Sequence, residues 1–236
     1  MTDPVKEVTF EELQTQSDNA NLVRKIQQAL VFLAPIDTEL PAKMTGKEHK
    51  LRELQKGFFP IGMFTTDGIN ISTEVESEGV KAFGYGSDVR TDKKSESNTI
   101  KVTAYETHKK NLMQIIFGMD LSDAEIDEEG ELVFDRPQLP IGTQYRLLMI
   151  GRDGPANNQW LIGYLFPKVE LESAPEEAWG SDALTAELSF KTLADPKAGF
   201  SRRVFLGGTA LQKEAARNAL GFKAKAAAGV VPGIGG

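Results

Sequence analysis

The sequence predicts a mainly β fold, in which antiparallel strands pack as a β-sandwich or barrel with a flanking α-helix. Seven or eight segments show the alternation of apolar and polar residues that half-buried strands require, and the turns between them have hairpin spacing. The alternating βαβ pattern of a nucleotide-binding sheet is absent. An N-terminal helix, an extended loop and terminal arms complete the expected architecture.

The N-terminal region predicts one helix followed by an irregular linker. The helix is expected over residues 20–33, where apolar side chains recur on one helical face: Leu22, Ile26, Ala29, Leu30 and Leu33. Three adjacent residues each suit its N-cap, namely Ser17, Asp18 and Asn19, and Pro35 ends it. Residues 34–56, with further proline and glycine, are expected to be the linker.

The β-structure is expected to begin at residue 57. Asp67-Gly68 predicts a hairpin turn, because a type I′ turn needs positive φ at both central residues. A half-buried strand with one wet face follows over residues 69–76. The polar, charged stretch 84–97 predicts a long loop, and the alternation over 100–104 predicts the next strand.

A second helix is expected over residues 106–118. Leu112, Ile115, Ile116 and Met119 share one helical face, and Gly118 suits the C-terminal end. The following stretch, 120–135, contains eight acids and no base, so it is expected to be a solvated loop.

The remaining strands are expected to form antiparallel pairs. Residues 143–152 and 158–171 pair around the turn DGPANN, and apolar residues on both faces of the second strand imply that it is covered on both sides. Residues 184–190 alternate cleanly, ADPKAG forms a turn, and a return strand reaches Gly208. Beyond Gly208, an Ala-rich stretch predicts a weak helix before a low-complexity tail.

The chain divides into three parts on this basis. Residues 1–56 are an N-terminal arm with a helix and a linker, 57–208 are the β-domain, and 209–236 are a C-terminal arm or flexible tail. No internal repeat is found.

Charge is unevenly distributed along the chain. The formal net charge is −7, yet residues 197–236 carry seven bases and only one acid, so the part before them is strongly acidic. Opposite patches favour head-to-tail contact between copies, although solubility alone explains the same pattern. An acidic body disfavours a groove that binds nucleic acid.

Membrane insertion and disulfide bonding are not expected. The sequence has no run of 18 apolar residues, and its polar N-terminus lacks the apolar core of a signal peptide. The absence of cysteine excludes disulfides and thiolate chemistry and fits folding in a reducing cytoplasm.

We expect no enzymatic activity, no cofactor and no metal. The two histidines, His49 and His108, have no His or Cys neighbour at metal-binding spacing. Gly84-Tyr85-Gly86 lacks the third glycine of a dinucleotide fingerprint, and Gly207-Gly208 is not followed by the Lys-Ser or Lys-Thr of a phosphate loop. The acids of residues 123–129 lie in one exposed stretch, whereas a glycosidase pair needs a rigid frame. Sequence order alone does not exclude a Ser-His-Asp triad.

Five segments stand in an order and spacing that are specific as a set, although no single motif is. They are GFFPIGMFTTDGINIS, SDVRTDKKSESNTIKVTAYETHKKNLMQIIFG, YRLLMIGRDG, WLIGYLFPKVELES and LTAELSFKTLADPKAGFSRRVFLGG. Over roughly residues 57–208, this set resembles the major tail protein of long-tailed, non-contractile (siphovirus-type) bacteriophages, those of actinobacteriophages above all.

The resemblance implies a structural virion protein, assembled in the host cytoplasm. Subunits of this family are β-sandwich-like with a flanking helix, and they form hexameric rings whose inner strands join into one β-barrel. The rings stack into a tube through which DNA enters the host. The implied partners are other copies of the chain and the tape measure, tail terminator and tail tip proteins. DNA is expected to pass through the lumen without specific binding, and no membrane is involved.

The loop 84–97 and the two termini are the expected arms for reaching neighbouring copies, since such segments order on binding. The candidate intersubunit residues are the charged side chains of that loop: Asp88, Arg90, Asp92, Lys93, Lys94 and Glu96. An acidic lumen would repel phosphate and keep DNA from sticking.

Two other interpretations stay open at this point. A different ring-forming component, such as a tail terminator, a head-closure ring or a tube of a secretion or contractile system, would share the fold, because fold alone does not fix function. A β-sandwich module that binds carbohydrate would expose aromatic side chains on one sheet face, for which the candidates are Phe83, Tyr85, Trp160 and Trp179.

Overall fold

The computed structural model describes residues 7–139, 142–176 and 181–222, which form a mainly β fold. In chain order the strands are β1 (Gln28–Pro35), β2 (Phe59–Pro60), β3 (Phe64–Val80), β4 (Arg90–Ala104), β5 (Gln144–Asp153), β6 (Trp160–Leu171), β7 (Ala186–Thr192) and β8 (Arg203–Gly207). The helices are α1 (Phe10–Ser17), α2 (Lys110–Phe117) and α3 (Glu214–Ala219), and 3₁₀ turns cover Ala20–Leu22, Ala156–Asn158 and Thr209–Gln212. The predicted fold class is confirmed.

All the strand pairs are antiparallel, in the order β2-β1-β5-β6-β7-β4-β3. β6 is the branch point of this sheet. One of its edges pairs with β5, while the other pairs with β8 over residues 161–165 and with β7 over residues 169–171. The sheet therefore separates into two layers, one containing β1, β5, β6 and β8 and the other containing β7, β4 and β3.

The larger hydrophobic core lies between the two layers and gives the fold its sandwich-like character. It is formed by buried apolar side chains from both layers and from α2, among them Val31, Leu33, Leu147, Phe166, Ile100, Val102, Leu188, Phe190, Leu112, Ile115 and Ile116. α2 ends at Gly118, whose left-handed backbone (φ 62°) lets its N–H reach the last carbonyls of the helix. The helix predicted over residues 106–118 is thus confirmed, with its flanking position.

A second core covers the outer face of β5, β6 and β8. The connection 36–58 packs against these strands, and the buried members are Met44, Leu148, Ile150, Leu161, Leu165 and Phe205. β6 is consequently buried on both faces, as its apolar pattern predicted. The strand pair β5–β6, the strand β7 and the turn that begins at Asp195 are confirmed as well.

Arg146 on β5 fastens three segments of the chain to one another. Its Nε donates to the carbonyl oxygen of Thr38 (2.7 Å), and its Nη1 donates to the carbonyl oxygen of Pro167 (2.6 Å) and to Asp195 Oδ2 (3.0 Å). Burial raises the pKa of Asp195, but the hydrogen bonds from Arg146 and from two backbone N–H groups of its own turn outweigh burial and hold that pKa below its usual value.

The helix predicted over residues 20–33 is wrong. Residues 28–35 form β1, which pairs with β5 and places Val31 and Leu33 in the larger core. Apolar residues on both faces of this strand produce a spacing that resembles a helical stripe. The N-terminal helix lies earlier, at α1, so Asp18 is a C-cap rather than an N-cap. The sheet therefore begins inside the segment predicted to be an N-terminal arm.

Two predictions about the β3–β4 region are also wrong. Asp67-Gly68 is not a hairpin turn, because β3 runs through it; Gly68 has the expected positive φ (76°), but it lies in a bulge between the pairs Phe64–Ala104 and Ile69–Val102. The stretch 84–97 is not one loop, since β4 begins at Arg90. The strand predicted over 100–104 is confirmed as the end of β4.

The C-terminal part agrees with the weak helix predicted beyond Gly208. A 3₁₀ turn and α3 occupy it up to residue 219, and the low-complexity tail predicted after it lies outside the described residues. None of the described helices combines the length and the apolar character needed to cross a bilayer.

Candidate functional site

The hairpin of β3 and β4 is the candidate functional site, because half of it extends beyond the sandwich. At its base, residues 99–104 of β4 pair with β7 on one side and with β3 on the other. Beyond Thr99, eight residue pairs, from Thr73–Asn98 to Val80–Arg90, have no third strand. At about 3.4 Å per residue, this two-stranded ribbon is about 27 Å long.

Asn98 marks the point at which the ribbon leaves the sandwich. It is one of the buried polar residues, with an exposed fraction of 2%. Its N–H donates to Thr192 Oγ1 (2.9 Å), and its Oδ1 accepts from Thr73 Oγ1 (2.7 Å). These two bonds tie the root of the ribbon to both β7 and β3.

The stem of the ribbon is held by exposed polar contacts between its two strands. Lys94 Nζ lies 2.9 Å from Glu78 Oε2, and Ser95 Oγ donates to Glu76 Oε2 (3.0 Å). Surface ion pairs contribute at most about 1 kcal/mol each, and an isolated two-stranded hairpin is marginally stable in water. The stem thus has little stability of its own beyond its root.

The candidate residues predicted from the sequence all lie on this hairpin. Five of the six are in β4 rather than in a loop: Arg90, Asp92, Lys93, Lys94 and Glu96. The sixth, Asp88, is in the tip, where its carboxylate lies over Gly79. The structure brings Arg90 and Asp92 together as an ion pair (2.8 Å). It also pairs Lys94 with Glu78 on β3, a residue outside the loop predicted over 84–97.

The tip of the hairpin carries a group of exposed apolar side chains. Phe83 is fully exposed (104% of its reference area) and Tyr85 is 70% exposed, while Val80 and Val89 flank them at about half exposure. Backbone bonds from Tyr85 N–H to Ala82 and from Val89 N–H to Val80 close the tip. Exposed aromatic side chains at the end of a charged stem form a surface suited to burial against a partner.

The outer strands of the sheet leave backbone edges without partners among the described residues. β3 is the last strand in the order, so one edge of its 17 residues is unpaired. β8 pairs only with β6, and its Val204 and Leu206 are exposed. Unpaired edges are templates for pairing with another chain, and charged side chains such as those of Glu74, Glu76 and Glu78 limit unspecific pairing.

The two histidines and Gly208 lie outside the hairpin. His49 is in the 36–58 connection with φ 60°, and His108 Nδ1 lies 3.2 Å from Thr107 Oγ1. No group of three or more His, Cys, Asp or Glu side chains in the described part of the chain is placed to hold a metal ion. Gly208 has φ 106°, and a Cβ there would collide with the carbonyl of Gln159, so this glycine is required by the backbone.

The acidic stretch 120–135 is likewise engaged locally. Asp120 Oδ1 accepts from the hydroxyl and the backbone N–H of Ser122 and from Gln114, and these bonds, the Ser122 hydroxyl foremost, lower the pKa of its carboxyl. Asp127 Oδ1 accepts from the backbone N–H of Glu131 in a tight turn.

Of the aromatic residues proposed for a carbohydrate surface, Trp160 is excluded from such a surface. Trp160 is buried (6% exposed) beneath the guanidinium of Arg24, and Trp179 lies outside the described residues. Phe83 and Tyr85 are exposed, and they belong to the hairpin tip. No model of a known protein family and no curated protein matches the chain in sequence.

Proposed function

We propose that this chain is a structural virion protein that assembles with copies of itself into stacked hexameric rings, the tail tube of a long-tailed, non-contractile phage. The observation that carries the proposal is the β3–β4 hairpin, with its unsupported stem of about 27 Å and its apolar tip. The resemblance of residues 57–208 to major tail proteins is the reason for proposing a tail tube as the assembly.

The hairpin acts as the arm that joins one copy to the next. A marginal two-stranded ribbon that ends in an exposed Phe83 gains stability when a neighbour covers it. Because the tip of one copy meets a different surface on the next, the contact is heterologous and repeats along a filament, which is the geometry of stacked rings.

The unpaired edges of the sheet account for ring closure. The edges of β3 and β8 are exposed in the single chain, and pairing between neighbouring copies around a ring would cover them. Closure into a ring leaves no free edge on which unspecific aggregation can start.

The charge distribution fits a conduit for DNA. The chain carries a formal charge of −7, with the acids concentrated before residue 197, so a lumen lined by acids would repel phosphate. The tube would contact the tape measure protein inside it, the tail terminator at one end and the tail tip proteins at the other.

Electron microscopy of a shortened hairpin tests the proposal. In the test variant, residues 74–97 are replaced by Asn-Gly, a two-residue turn that joins Thr73 to Asn98 and keeps the root of the ribbon. Negative-stain images over a concentration series should show rings or hollow tubes for the wild-type protein and monomers for the variant. Circular dichroism and the Tm should show that the variant is folded.

A control removes a shorter stretch of exposed chain outside the hairpin. Shortening the acidic stretch within residues 122–134 should leave the rings and tubes intact. Wild-type protein that stays monomeric at every concentration, even with a tail-tip initiator complex, would contradict the proposal. Single rings that never stack would favour a terminator or head-closure ring.

A second candidate function has one observation in its favour. Phe83 and Tyr85 are both exposed at the tip, as aromatic side chains of carbohydrate-binding modules are. A glycan screen with the monomeric protein distinguishes the two functions, because binding that is lost in Tyr85→Ser would support the binding module.

A further inference from the structure

An apolar groove opens where the two layers of the sandwich diverge. Its volume is about 790 Å³, within the usual range of ligand-binding clefts. One wall is the sheet face of β1, β5 and β6, and the other is the beginning of β3. The apolar lining residues are Ile26, Ala29, Phe64, Ile69, Ile71, Met149, Ile150, Ile162 and Tyr164. Polar and charged side chains also line it: Arg24, Gln27, Gln28, Thr65, Thr66 and Asp67.

The groove continues onto β8 and has a cation at its edge. Tyr164 and Ile162 pair with Val204 and Leu206, whose exposed side chains extend the same apolar face. The Arg202 guanidinium lies 5.1 Å from the centre of the Tyr164 ring. Arg202 forms no ion pair with any of the described residues, so its charge is available to an acidic partner.

Helix α1 has the complementary properties, and each of its residues is exposed in the described part of the chain. Its first turn is fixed by a capping box, in which Thr9 Oγ1 accepts from the Glu12 N–H and Glu12 accepts from the Thr9 N–H. Three apolar side chains lie on or next to one face, and all are exposed: Val8, Phe10 and Leu13. An eight-residue helix is marginal in water, so its stability must come from packing that face.

The chain that follows α1 is anchored at the rim of the groove. Arg24 Nη1 is 3.2 Å from Asp153 Oδ2, and its guanidinium lies 4.6 Å from the centre of the Trp160 ring. The N–H of Gln27 donates to the carbonyl of Arg152 (2.9 Å). With the chain fixed here, α1 stands outside the groove of its own copy, with every residue exposed.

We propose, resting on the self-assembly described above, that the groove binds α1 of a second copy. An eight-residue helix is about 12 Å long, and a face of four strands is about 14 Å wide, so the helix can lie across β1, β5, β6 and β8. Its apolar face meets Ile162 and Tyr164. Residues 7–18 carry four acids and no base, which complements Arg202.

Disulfide trapping tests this contact, and the chain is suited to it because it has no cysteine. One copy carries Leu13→Cys and a differently tagged copy carries Ile162→Cys. The control pair uses Thr15→Cys, on the opposite face of α1, with the same Ile162→Cys. Under mild oxidation, the Leu13 pair should form at least about tenfold more mixed disulfide than the Thr15 pair, because docking raises the effective concentration of the two thiols.

Three results would overturn the contact. The first is equal trapping of the two pairs, and the second is no trapping in variants whose Tm shows that they are folded. The third is a same-chain disulfide in the Leu13→Cys and Ile162→Cys double variant at a concentration too low for assembly, which would place α1 in its own groove. Tubes without trapping would overturn this contact alone, whereas trapped pairs without rings would support it and contradict the tail tube.

Discussion

Replacing Phe83 with serine will weaken assembly without weakening the fold. The Phe83 side chain is fully exposed at the tip of the hairpin, so its removal costs the monomer no packing. Surface substitutions of this kind change the free energy of unfolding by less than about 0.5 kcal/mol. In the assembled state the same ring is expected to be buried against a neighbouring copy.

The size of the assembly defect follows from that burial. Burying a phenylalanine side chain contributes about 1.5–3 kcal/mol. Since about 1.4 kcal/mol corresponds to a tenfold change in an equilibrium constant, the critical concentration for assembly should rise roughly 10- to 100-fold. Tyr85→Ser should act in the same direction and by less, because Tyr85 is already partly covered (70% exposed).

Sedimentation of assembled material over a concentration series measures the critical concentration, and thermal unfolding of the dilute protein measures stability. Ile126→Ser is the control for both variants, because Ile126 is about as exposed as Tyr85 (68% against 70%) but lies in the acidic stretch. An unchanged critical concentration for Phe83→Ser, or an equal rise for Ile126→Ser, would refute the reasoning.

The stability of the sandwich provides three further predictions. Arg146→Ala leaves the part-buried Asp195 carboxylate without its cation and should lower the free energy of unfolding by about 1.5–3 kcal/mol in urea titrations, the range for hydrogen bonds to charged groups. A loss below about 0.5 kcal/mol, the size of an ordinary surface substitution, would contradict this role. The folded-state pKa of Asp195 is lower than the unfolded value of about 3.9. The contribution of Asp195 to the free energy of unfolding should therefore be complete above that pH and disappear as the pH falls through the folded pKa. Asp195→Asn should abolish this part of the acid sensitivity. Asn98→Ala removes the bond to Thr73, worth about 1 kcal/mol, and should speed amide exchange of the ribbon roughly fivefold while the exchange of β5 stays unchanged.

Apolar alternation identified most of the strands in the body of the sheet. In β7, Ala186, Leu188 and Phe190 are buried, and this period of two is visible directly in the sequence. α2 is visible in the sequence as well, because one face of the helix packs on the core and its apolar residues recur at helical spacing. β1 was mistaken for a helix because it is apolar on both faces and lies between two cores, so its sequence has no period of two.

Apart from residues 73–76, which belong to the strand predicted over 69–76, the distal hairpin was not predicted, and for the opposite reason. From Thr73 to Val80 and from Arg90 to Glu96 both faces are wet, and a strand with two wet faces has the composition of a loop. Five of the six candidate charged residues therefore lie in a strand, where the sequence predicts a loop. Gly68 has the positive φ that the Asp67-Gly68 sequence predicts, but this conformation occurs in a β-bulge and not in a hairpin turn.

The pairing of β1 with β5 sets an order on the folding of the newly made chain. Pro35 and Tyr145 are paired across more than a hundred residues, so β1 waits for β5 during synthesis, for roughly 5–20 s at ribosomal rates. The β3–β4 hairpin is local in sequence and can form much earlier. In the proposed assembly, the hairpin is therefore complete before the sandwich that supports it, and productive contact between copies would begin only after the last strands join the sheet.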